Sequence, residues 1–272
     1  MLKCKRNCCF SLFQSSLSEV EISAQLSEGR VVVLDIIHST SQYIIDNLKY
    51  VKPGDVFVTE NQTQGRGRRG NLWISPDKQS ICLSMYWRLS RKLFTTIELS
   101  LIISFAVSEV LKRIGIFQVK IKWPNDLYVN GKKLAGILIE IITKNKNISH
   151  LIIGIGINVS ICLNTKLNLK MSESWIDLKD INIYTDRNML VVDLVNELRR
   201  TLKHFEHNRC VLFKYYKRIF DYLYNKSVAL LIDGNVKYGV VVGINSDGSL
   251  LVMDRFGIIS AYLKENISIQ LL

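Results

Sequence analysis

Residues 119–137 of the chain read VKIKWPNDLYVNGKKLAGI. The β-branched and apolar residues of Val119–Trp123 predict a strand, and Pro124-Asn125-Asp126 predicts the turn that ends it. Such a turn places the ammonium of Lys122 and the carboxylate of Asp126 at one edge of a sheet. There they suit nucleotide chemistry, the lysine for phosphate charge and the acid for Mg²⁺ or an adjacent amine. An ordinary turn with a surface ion pair is the alternative, and such pairs contribute little.

Three further strands are predicted to follow this turn. Leu127–Val129 continues in an extended conformation, and Asn130-Gly131 is a strong signal for a tight hairpin turn. Leu134–Ile142 and His150–Asn158 are β-rich runs of strand length. We therefore expect these segments to form one sheet.

A glycine- and arginine-rich segment lies upstream, where residues 65–70 read GRGRRG. Its glycines allow positive φ and close approach of the backbone to a ligand, and its arginines supply guanidinium groups for phosphate or carboxylate. Residues Gln62–Asn71 are too rich in glycine to predict helix or strand. The motif does not stand between a strand and a helix, and it lacks the Gly-Lys-Ser/Thr of a P-loop. Taken alone, it also fits an RGG-like nucleic-acid segment or a flexible basic loop.

Alternate glycines occur downstream, where residues 153–158 read IGIGIN. Glycines two residues apart in a strand remove side chains from one face, which leaves room for a ligand or another backbone. Close packing of the strand against a helix is the alternative explanation.

The remaining pattern predicts an α+β domain followed by a small all-β domain. Predicted strands are Val31–Ile37, Val56–Glu60 and Ser80–Trp87, and predicted helices are Ser16–Leu26, Ser39–Tyr50, Ile97–Ile114, Val191–Phe205 and Val211–Tyr224. Short strands then alternate with tight turns, as in a small β-barrel, over Val228–Ile232, Val236–Ile244 and Leu250–Asp254. We place the domain boundary near residue 224. An N-terminal extension (1–30) then precedes the main domain (31–224) and the barrel (225–272).

Composition narrows the class of protein without identifying it. The net charge of +12 suits nucleic acid, nucleotide phosphates or an acidic protein, or else reflects the general abundance of lysine. The six cysteines form no C-x-x-C pair or His-flanked cluster, so we predict reduced thiols and no zinc or disulfide framework. The most apolar segment, Ile97–Ile114, carries too many polar residues to span a bilayer, and no signal peptide is recognisable. A folded cytoplasmic protein is therefore expected.

Together these segments resemble the biotin–protein ligase family. The GRGRRG loop (65–70), the KWPND turn (122–126), the KLAGIL strand (133–138) and the GIGIN strand (154–158) occur in the family's order. Similarity runs from about Val31 to the C-terminus and is greatest to the bacterial ligase that doubles as repressor of biotin synthesis. The resemblance implies an α+β fold, with a mixed-sheet catalytic domain of the biotin/lipoate ligase type followed by an SH3-like β-barrel.

The resemblance also implies a reaction. Biotin and ATP, with Mg²⁺, would form biotinyl-5′-adenylate and pyrophosphate, and a lysine of an acceptor protein would then displace AMP. The implied acceptor is the biotin carboxyl carrier protein of acetyl-CoA carboxylase. The glycine loop would close over the adenylate and exclude water.

The resemblance assigns roles to individual residues, and it assigns no metal site built from protein ligands. The implied biotin-binding residues are Ser39, Thr40, Gln62, Gly65, Arg66, Gly67, Arg68, Lys133, Gly136, Leu138 and Gly154. The implied nucleotide-binding residues are Arg66, Arg68, Lys122, Asn125, Asn158 and Trp175. The implied catalytic residues are Arg68, Lys122, Lys133 and Asp126, with Asp126 assisting the attacking lysine.

The chain departs from the family pattern in three places. Ser41 stands where Asn is common, and Asn71 stands where Arg or Lys follows the glycine loop. About thirty residues precede Val31, too few for the winged helix-turn-helix domain of the bifunctional relatives, so DNA binding is not expected. Dimerisation through the catalytic sheet stays open.

Two rival functions remain from the sequence. A lipoate–protein ligase would share the fold and the adenylation chemistry, but the GRGRRG and KWPND motifs favour biotin. A non-enzymatic RNA- or DNA-binding protein would use the arginine loop and would bind with steep salt dependence. That function leaves the other ordered motifs unexplained.

Overall fold

The computed structural model describes residues 16–89, 95–145, 148–162, 175–207, 222–232, 234–263 and 267–272. Within these residues the chain forms two sheets and four α-helices. The helices are α1 (Glu19–Gln25), α2 (Thr40–Asp46), α3 (Thr96–Arg113) and α4 (Arg187–His207). No helix in this part of the chain is long and apolar enough to cross a membrane.

The larger sheet has seven strands and is mixed. Its strands are β1 (Val31–Ile37), β2 (Val56–Gln62), β3 (Ser80–Leu89), β4 (Lys120–Lys122), β5 (Asp126–Val129), β6 (Lys132–Asn145) and β7 (Ile148–Asn158). Their spatial order is β1-β2-β3-β7-β6-β5-β4. The β1–β2 pair is parallel and the other pairs are antiparallel. The sheet also departs from a simple meander because β3 lies beside β7 and not beside β4.

The main hydrophobic core lies between one face of this sheet and helices α3 and α4. Alternate residues of the central strands, such as Leu83, Ile137 and Ile155, point into this core because successive side chains of a strand face opposite ways. Helix α3 is buried along most of its length, as the sequence predicts, and the Thr95 hydroxyl accepts the Glu98 backbone N–H at its start. Helices α3 and α4 therefore cover one face of the sheet, and the other face is accessible to a ligand.

The opposite face of the sheet is only partly covered. Helix α2 packs there through Ile44, beside Phe57, Tyr86 and Ile152 in a second, smaller cluster. Beyond α2, the strands β3, β6 and β7 carry small residues on this face. This uncovered half of the sheet is where a ligand can lie.

The C-terminal sheet has five antiparallel strands and its own core. The strands are β8 (Ser227–Ile232), β9 (Asn235–Ile244), β10 (Leu250–Met253), β11 (Ile259–Tyr262) and β12 (Ser268–Leu271), in the order β11-β10-β9-β8-β12. Trp123 belongs to this second core, and its Nε1 donates to the Gly248 carbonyl at 2.9 Å. The KWPND turn is thereby held between the two sheets.

Most predicted elements are present, with differences at their ends. The helix predicted over Ser39–Tyr50 ends at Asp46, where the Asn47 side chain adds a second hydrogen bond to the Tyr43 carbonyl and caps the last turn. The glycine-rich segment, predicted to have no regular structure, contributes Gln62 to β2 and a single 3₁₀ turn over Arg68–Gly70. Strands β11 and β12 were not predicted.

One predicted helix falls mostly outside the described residues. Of the predicted Val211–Tyr224 helix, only Tyr222, Leu223 and Tyr224 are described, and they form a turn before β8.

The Asn130-Gly131 hairpin is present between β5 and β6, with positive φ at both residues (51° and 77°) as a tight hairpin turn requires. The position of the domain boundary near residue 224 stays a prediction.

Candidate functional site

A cavity of about 480 Å³ opens on the uncovered face of the seven-stranded sheet. It is lined by residues 39–41, 62, 66–69, 71–73, 83–84, 122–126, 133, 136–138, 154–156, 175 and 267–269. Its inner end is formed by buried residues at the start of α2, and its outer end by cationic side chains and by β12 of the small sheet. The cavity therefore collects all the sequence motifs in one place.

The floor of the cavity is nearly bare backbone. Gly154 pairs with Ser84 across β3 and β7, and Gly156 pairs with Gly136 across β7 and β6. The Trp73 indole lies directly on this floor, since a Cβ atom built on Gly156 would lie 2.7 Å from Trp73 Nε1. The alternate glycines thus make room for groups on the cavity side, whereas the helices pack against the opposite face.

The inner end of the cavity is polar, uncharged and buried. Thr40 Oγ1 lies 2.7 Å from Ser84 Oγ, which lies 2.9 Å from Ser41 Oγ. Gln62 Oε1 accepts the Thr40 backbone N–H at 2.9 Å and the Thr40 hydroxyl at 3.2 Å. The Ser39 hydroxyl accepts a backbone N–H of the first turn of α2, which leaves its own proton for another acceptor. This end can bind a small polar group by neutral hydrogen bonds.

The glycine loop folds back on itself above the floor. The Trp73 N–H donates to the Gly65 carbonyl at 2.9 Å, and the Gly67 N–H donates to the Asn71 carbonyl at 2.8 Å. A Cβ atom on Gly65 would overlap the Trp73 carbonyl, so this position requires glycine for close approach of two backbones. The loop is a narrow hairpin whose arginines project to either side.

The first arginine of the loop contacts both helix α2 and strand β6. Arg66 donates to Gln42 Oε1 at 2.6 Å and forms an ion pair with Glu140 of β6. Burial raises the pKa of the Glu140 carboxyl, and the Arg66 charge opposes that rise.

The next two arginines reach the outer end of the cavity. Arg68 Nη1 donates to Asn125 Oδ1 at 2.9 Å. Arg69, in the left-handed region at φ 58°, donates to the Ile267 carbonyl that precedes β12. The loop is therefore linked both to the KWPND turn and to the small sheet.

Two lysines and one carboxylate complete the outer end. Lys133 Nζ lies 2.8 Å from Asp126 Oδ1, and Lys122 Nζ lies 3.5 Å from the Tyr128 hydroxyl. Asp126 is the one carboxylate among the described residues that line the cavity. Burial lowers the pKa of Lys122, although Asp126 opposes that effect. The arrangement gives a net positive surface suited to phosphate groups.

An aromatic wall adjoins these cations. The Trp73 and Trp175 rings stack at a centroid distance of 5.8 Å and an interplanar angle of 22°. Lys133 Nζ lies 5.7 Å from the centroid of the Trp73 ring, and the Lys133 carbonyl accepts the Ile176 N–H at 3.0 Å. A flat apolar surface beside fixed cations suits a planar ring that carries phosphate.

Most of the segments that line the cavity lie within the part of the chain that is matched by a protein-family model. The model of the Biotin/lipoate A/B protein ligase family matches residues 33–158. The bifunctional ligase/repressor BirA of Escherichia coli is 37% identical over 254 residues, which cover 93% of this chain and 78% of BirA. The chain belongs to the biotin–protein ligase family. BirA of Bacillus subtilis is 29% identical over 269 residues, or 90% of this chain.

A solved structure supports the same membership of the biotin–protein ligase family. The biotin protein ligase from Aquifex aeolicus, determined in complex with biotin and ATP, superposes with a TM-score of 0.76 at 27% identity. The match covers 89% of this chain and 99% of the Aquifex chain. The mixed α+β fold predicted from the family resemblance is thus confirmed, and the small five-stranded sheet is compatible with an SH3-like barrel.

The structure brings most of the residues expected from the biotin–protein ligase resemblance into the cavity. Those that line it are Ser39, Thr40, Gln62, Arg66, Gly67, Arg68, Lys122, Asn125, Asp126, Lys133, Gly136, Leu138, Gly154 and Trp175. Gly65 and Asn158 do not line it. Gly65 shapes the base of the loop, and the Asn158 amide donates to the Ile176 carbonyl at 3.1 Å, next to Trp175. Gly65 therefore affects the cavity through the backbone of Trp73, and Asn158 affects it through the segment that carries Trp175.

Sequence reasoning missed several cavity residues of this ligase family member. Trp73 lies three residues beyond the GRGRRG motif, and its aromatic character beside that motif was a usable signal. Ser84 and the segment Ile267–Ile269 carried no such signal, because only pairing of β3 with β7 and the position of β12 bring them to the cavity. Ser41 was noted as a departure but not as a cavity residue.

Proposed function

We propose that the protein activates biotin with ATP to form biotinyl-5′-adenylate and then transfers the biotinyl group to a lysine of an acceptor protein. The observation that carries this proposal is the distribution of polar and charged groups in the cavity described above. Its inner end offers neutral hydrogen bonds and its outer end offers cations, which is the distribution needed by a ligand with an uncharged head and a carboxylate tail. Membership of the biotin–protein ligase family supports the same assignment.

Biotin fits the cavity with its ureido ring at the inner end. The ring is neutral and polar, and the residues Ser39, Thr40, Ser84 and Gln62 present hydroxyl and amide groups there. The valeryl chain would lie over the glycine floor at Gly154, beside Leu138. Its carboxylate would then reach Lys133 and the glycine loop.

ATP fits the outer end. The adenine would lie along the Trp73–Trp175 wall, and the α-phosphate would lie among Arg68, Lys122 and Lys133. In the first step the biotin carboxylate attacks the α-phosphorus and pyrophosphate leaves. Charge grows on the phosphate oxygens, so preorganised cations lower the barrier, each typically by about 2.7–4 kcal/mol.

Mg²⁺ is expected to arrive with the nucleotide. Mg²⁺ in nucleotide sites uses one or two carboxylates together with phosphate oxygens and water, and Asp126 is the cavity carboxylate that could hold it. The ion supplies additional positive charge at the triphosphate. The described residues contain no group of three His, Cys, Asp or Glu side chains that would bind a metal without the nucleotide.

The second step requires a neutral lysine on the acceptor. A lysine has an unperturbed pKa of about 10.4, so desolvation at the cavity mouth and a nearby carboxylate would favour its neutral form. Asp126 is the carboxylate available, and Lys133 holds it at 2.8 Å. The attacking amine forms the amide bond as AMP leaves with the bonding electrons of the mixed anhydride.

The proposed acceptor is the biotin carboxyl carrier protein of acetyl-CoA carboxylase, and the proposed compartment is the cytoplasm. The spacing of the six cysteines in the sequence, without a C-x-x-C pair, supports a reducing compartment. A homodimer through the catalytic sheet is left open by the family resemblance.

The first test is biotin-dependent exchange of labelled pyrophosphate into ATP, with lipoate and octanoate as controls. Exchange with biotin alone is expected. Exchange only with lipoate would show that the protein is a lipoate–protein ligase, the alternative that shares the fold. The absence of exchange with all three acids, in folded protein with Mg²⁺, would overturn the proposal.

A further inference from the structure

The residues that follow Trp175 are bound to the ends of two central strands. The Ile176 N–H donates to the Lys133 carbonyl near the start of β6 at 3.0 Å, and the Leu178 N–H donates to the Asn158 carbonyl at the end of β7 at 3.2 Å. The Asn158 amide returns a hydrogen bond to the Ile176 carbonyl at 3.1 Å. The position of Trp175 in the cavity wall therefore depends on how firmly the next three residues are held.

Asp177 lies in the middle of these three residues and is 1% exposed. Its Oδ2 atom accepts the Ile161 N–H at 3.0 Å, and its Oδ1 atom accepts the Asp180 N–H at 2.8 Å. Ile161 lies 16 positions earlier in the chain, just beyond β7. A buried carboxylate is stable only when its oxygens accept hydrogen bonds, so these two bonds hold it in one place. Asp177 thereby joins the chain beyond β7 to the chain beyond Trp175.

The donor at Ile161 is itself fixed by Gln79, which lies directly before β3. The Gln79 carbonyl accepts the N–H groups of Val159 and Ser160 at 3.0 and 3.1 Å. Its side-chain Oε1 accepts the Cys162 N–H at 2.9 Å. Residues on both sides of Ile161 are therefore bound to the edge of the glycine-loop segment, which keeps the Ile161 N–H in position.

Asp177 does not line the cavity, so its influence on a ligand must pass through a neighbour. The neighbour is Trp175, two residues earlier, whose ring stacks on Trp73 at a centroid distance of 5.8 Å. A flat ligand binds more tightly to an aromatic wall that is already in place, because ordering a segment on binding costs conformational entropy. A fixed Asp177 removes that cost.

We infer that Asp177 is a positioning residue for the nucleotide: by accepting the Ile161 and Asp180 N–H groups it holds Trp175 in place for the base of ATP. This inference rests on the nucleotide part of the proposed function, in which the adenine lies along the Trp73–Trp175 wall. The phosphates lie among cations on other segments. Loss of the Asp177 carboxylate therefore weakens binding of the base and leaves the phosphate contacts and the chemical step unchanged.

The test is the variant Asp177→Asn, which keeps the size of the side chain but leaves one oxygen for two N–H donors. Its equilibrium binding is measured with α,β-methylene-ATP, which cannot release pyrophosphate, and with inorganic tripolyphosphate, which has phosphates but no base. We expect the affinity for α,β-methylene-ATP to fall about tenfold and the affinities for tripolyphosphate and biotin to stay within about twofold. In the pyrophosphate-exchange assay, the KM for ATP should rise about tenfold with kcat unchanged.

Asp254→Asn is the matched control. Asp254 Oδ1 accepts the Phe256 and Ile258 N–H groups at 2.8 and 3.0 Å, in the turn between β10 and β11. It makes the same kind of contact to two backbone N–H groups but does so in the small sheet and does not line the cavity. This substitution should change none of the three affinities.

A double variant tests whether Asp177 acts through the indole ring. Trp175→Ala should itself weaken binding of α,β-methylene-ATP. Once that ring is removed, Asp177 has nothing left to position for the base. The affinity of Asp177→Asn/Trp175→Ala should therefore equal that of Trp175→Ala alone.

Three outcomes would overturn the inference. These are wild-type affinity for α,β-methylene-ATP in Asp177→Asn, an equal loss of affinity for tripolyphosphate, which would indicate a general structural defect, and fold-changes that multiply in the double variant. Failure of the proposed function has a different signature. A wild-type protein that binds α,β-methylene-ATP but shows no biotin-dependent exchange would overturn the proposed ligase activity alone.

Discussion

Lys133 Nζ lies 2.8 Å from Asp126 Oδ1, so the cation expected at the biotin carboxylate and the acid expected to assist the acceptor lysine form one ion pair. The two residues come from adjacent strands: Asp126 starts β5 and Lys133 lies near the start of β6. A short hairpin therefore couples the two proposed steps of the reaction. Substitutions on either side of the pair should separate those steps.

Asp126→Asn is expected to form biotinyl-adenylate, because its amide oxygen can still contact Mg²⁺, but to transfer the biotinyl group slowly. Loss of a positioned acid or base typically costs about 10²- to 10⁴-fold, and the loss should appear in the transfer step. Single-turnover assays that follow adenylate formation and acceptor biotinylation separately would measure it. Transfer at the wild-type rate would eliminate the assistance role of Asp126.

Arg68→Gly is expected to release the adenylate before transfer. Arg68 links the glycine loop to Asn125 at 2.9 Å, and hydrogen bonds to charged groups contribute roughly 1.5–3 kcal/mol, or about tenfold or more in retention. The released adenylate should biotinylate lysines of an unrelated bystander protein such as albumin. If biotinylation stays confined to the acceptor in this variant, Arg68 does not retain the intermediate.

The pH dependence of adenylation should report the environment of Lys122. Because burial lowers the pKa of Lys122 from 10.5, its positive charge is present at low pH and is lost as pH rises through that lowered value. The rate of adenylation should therefore fall on the alkaline side at a pH below 10.5. Lys122→Arg keeps its charge to higher pH and should move this limb upward.

The matched control for the pH experiment is Lys120→Arg. Lys120 lies two residues earlier on the same strand and is exposed. Its substitution should leave the profile unchanged. An alkaline limb that stays in place in Lys122→Arg would show that another group is responsible.

The paired glycines of the floor give a comparison between neighbouring sites. A Cβ atom on Gly156 would lie 2.7 Å from Trp73 Nε1, so Gly156→Ala should displace the indole and weaken nucleotide binding. A Cβ atom on Gly136 would lie 3.2 Å from the same indole and 3.3 Å from the flexible end of Lys133, so Gly136→Ala should be tolerated better. Overpacking of this kind typically costs about 1–3 kcal/mol. We therefore expect the KM for ATP to rise about tenfold or more in Gly156→Ala. Equal effects of the two substitutions would contradict this assignment.

The sequence by itself determined the strands of the larger sheet and marked two of the segments that line the candidate site. Local chemistry sufficed for these: β-branched runs predict strands at β1 and β7, Asn130-Gly131 predicts the β5–β6 hairpin, and the GRGRRG and KWPND motifs mark residues that need glycine flexibility or charge. The other expected site residues came from the family resemblance. The stated ends of elements were less accurate. The α2 helix, for example, stops at a cap formed by Asn47, which competes with continued helix in a way that periodicity does not reveal.

Only the tertiary structure decided how distant residues meet. Ser84 joins Thr40 and Ser41 because β3 lies beside β7 and beneath the start of α2, and Arg69 reaches Ile267 although nearly two hundred residues separate them along the chain. Neither contact has a local signature, because a serine in a strand or an arginine in a loop is compatible with solvent as readily as with a partner. The hydroxyl cluster of Thr40, Ser41 and Ser84 and the link from the glycine loop to the small sheet depend on strand order and register, which long-range packing selects.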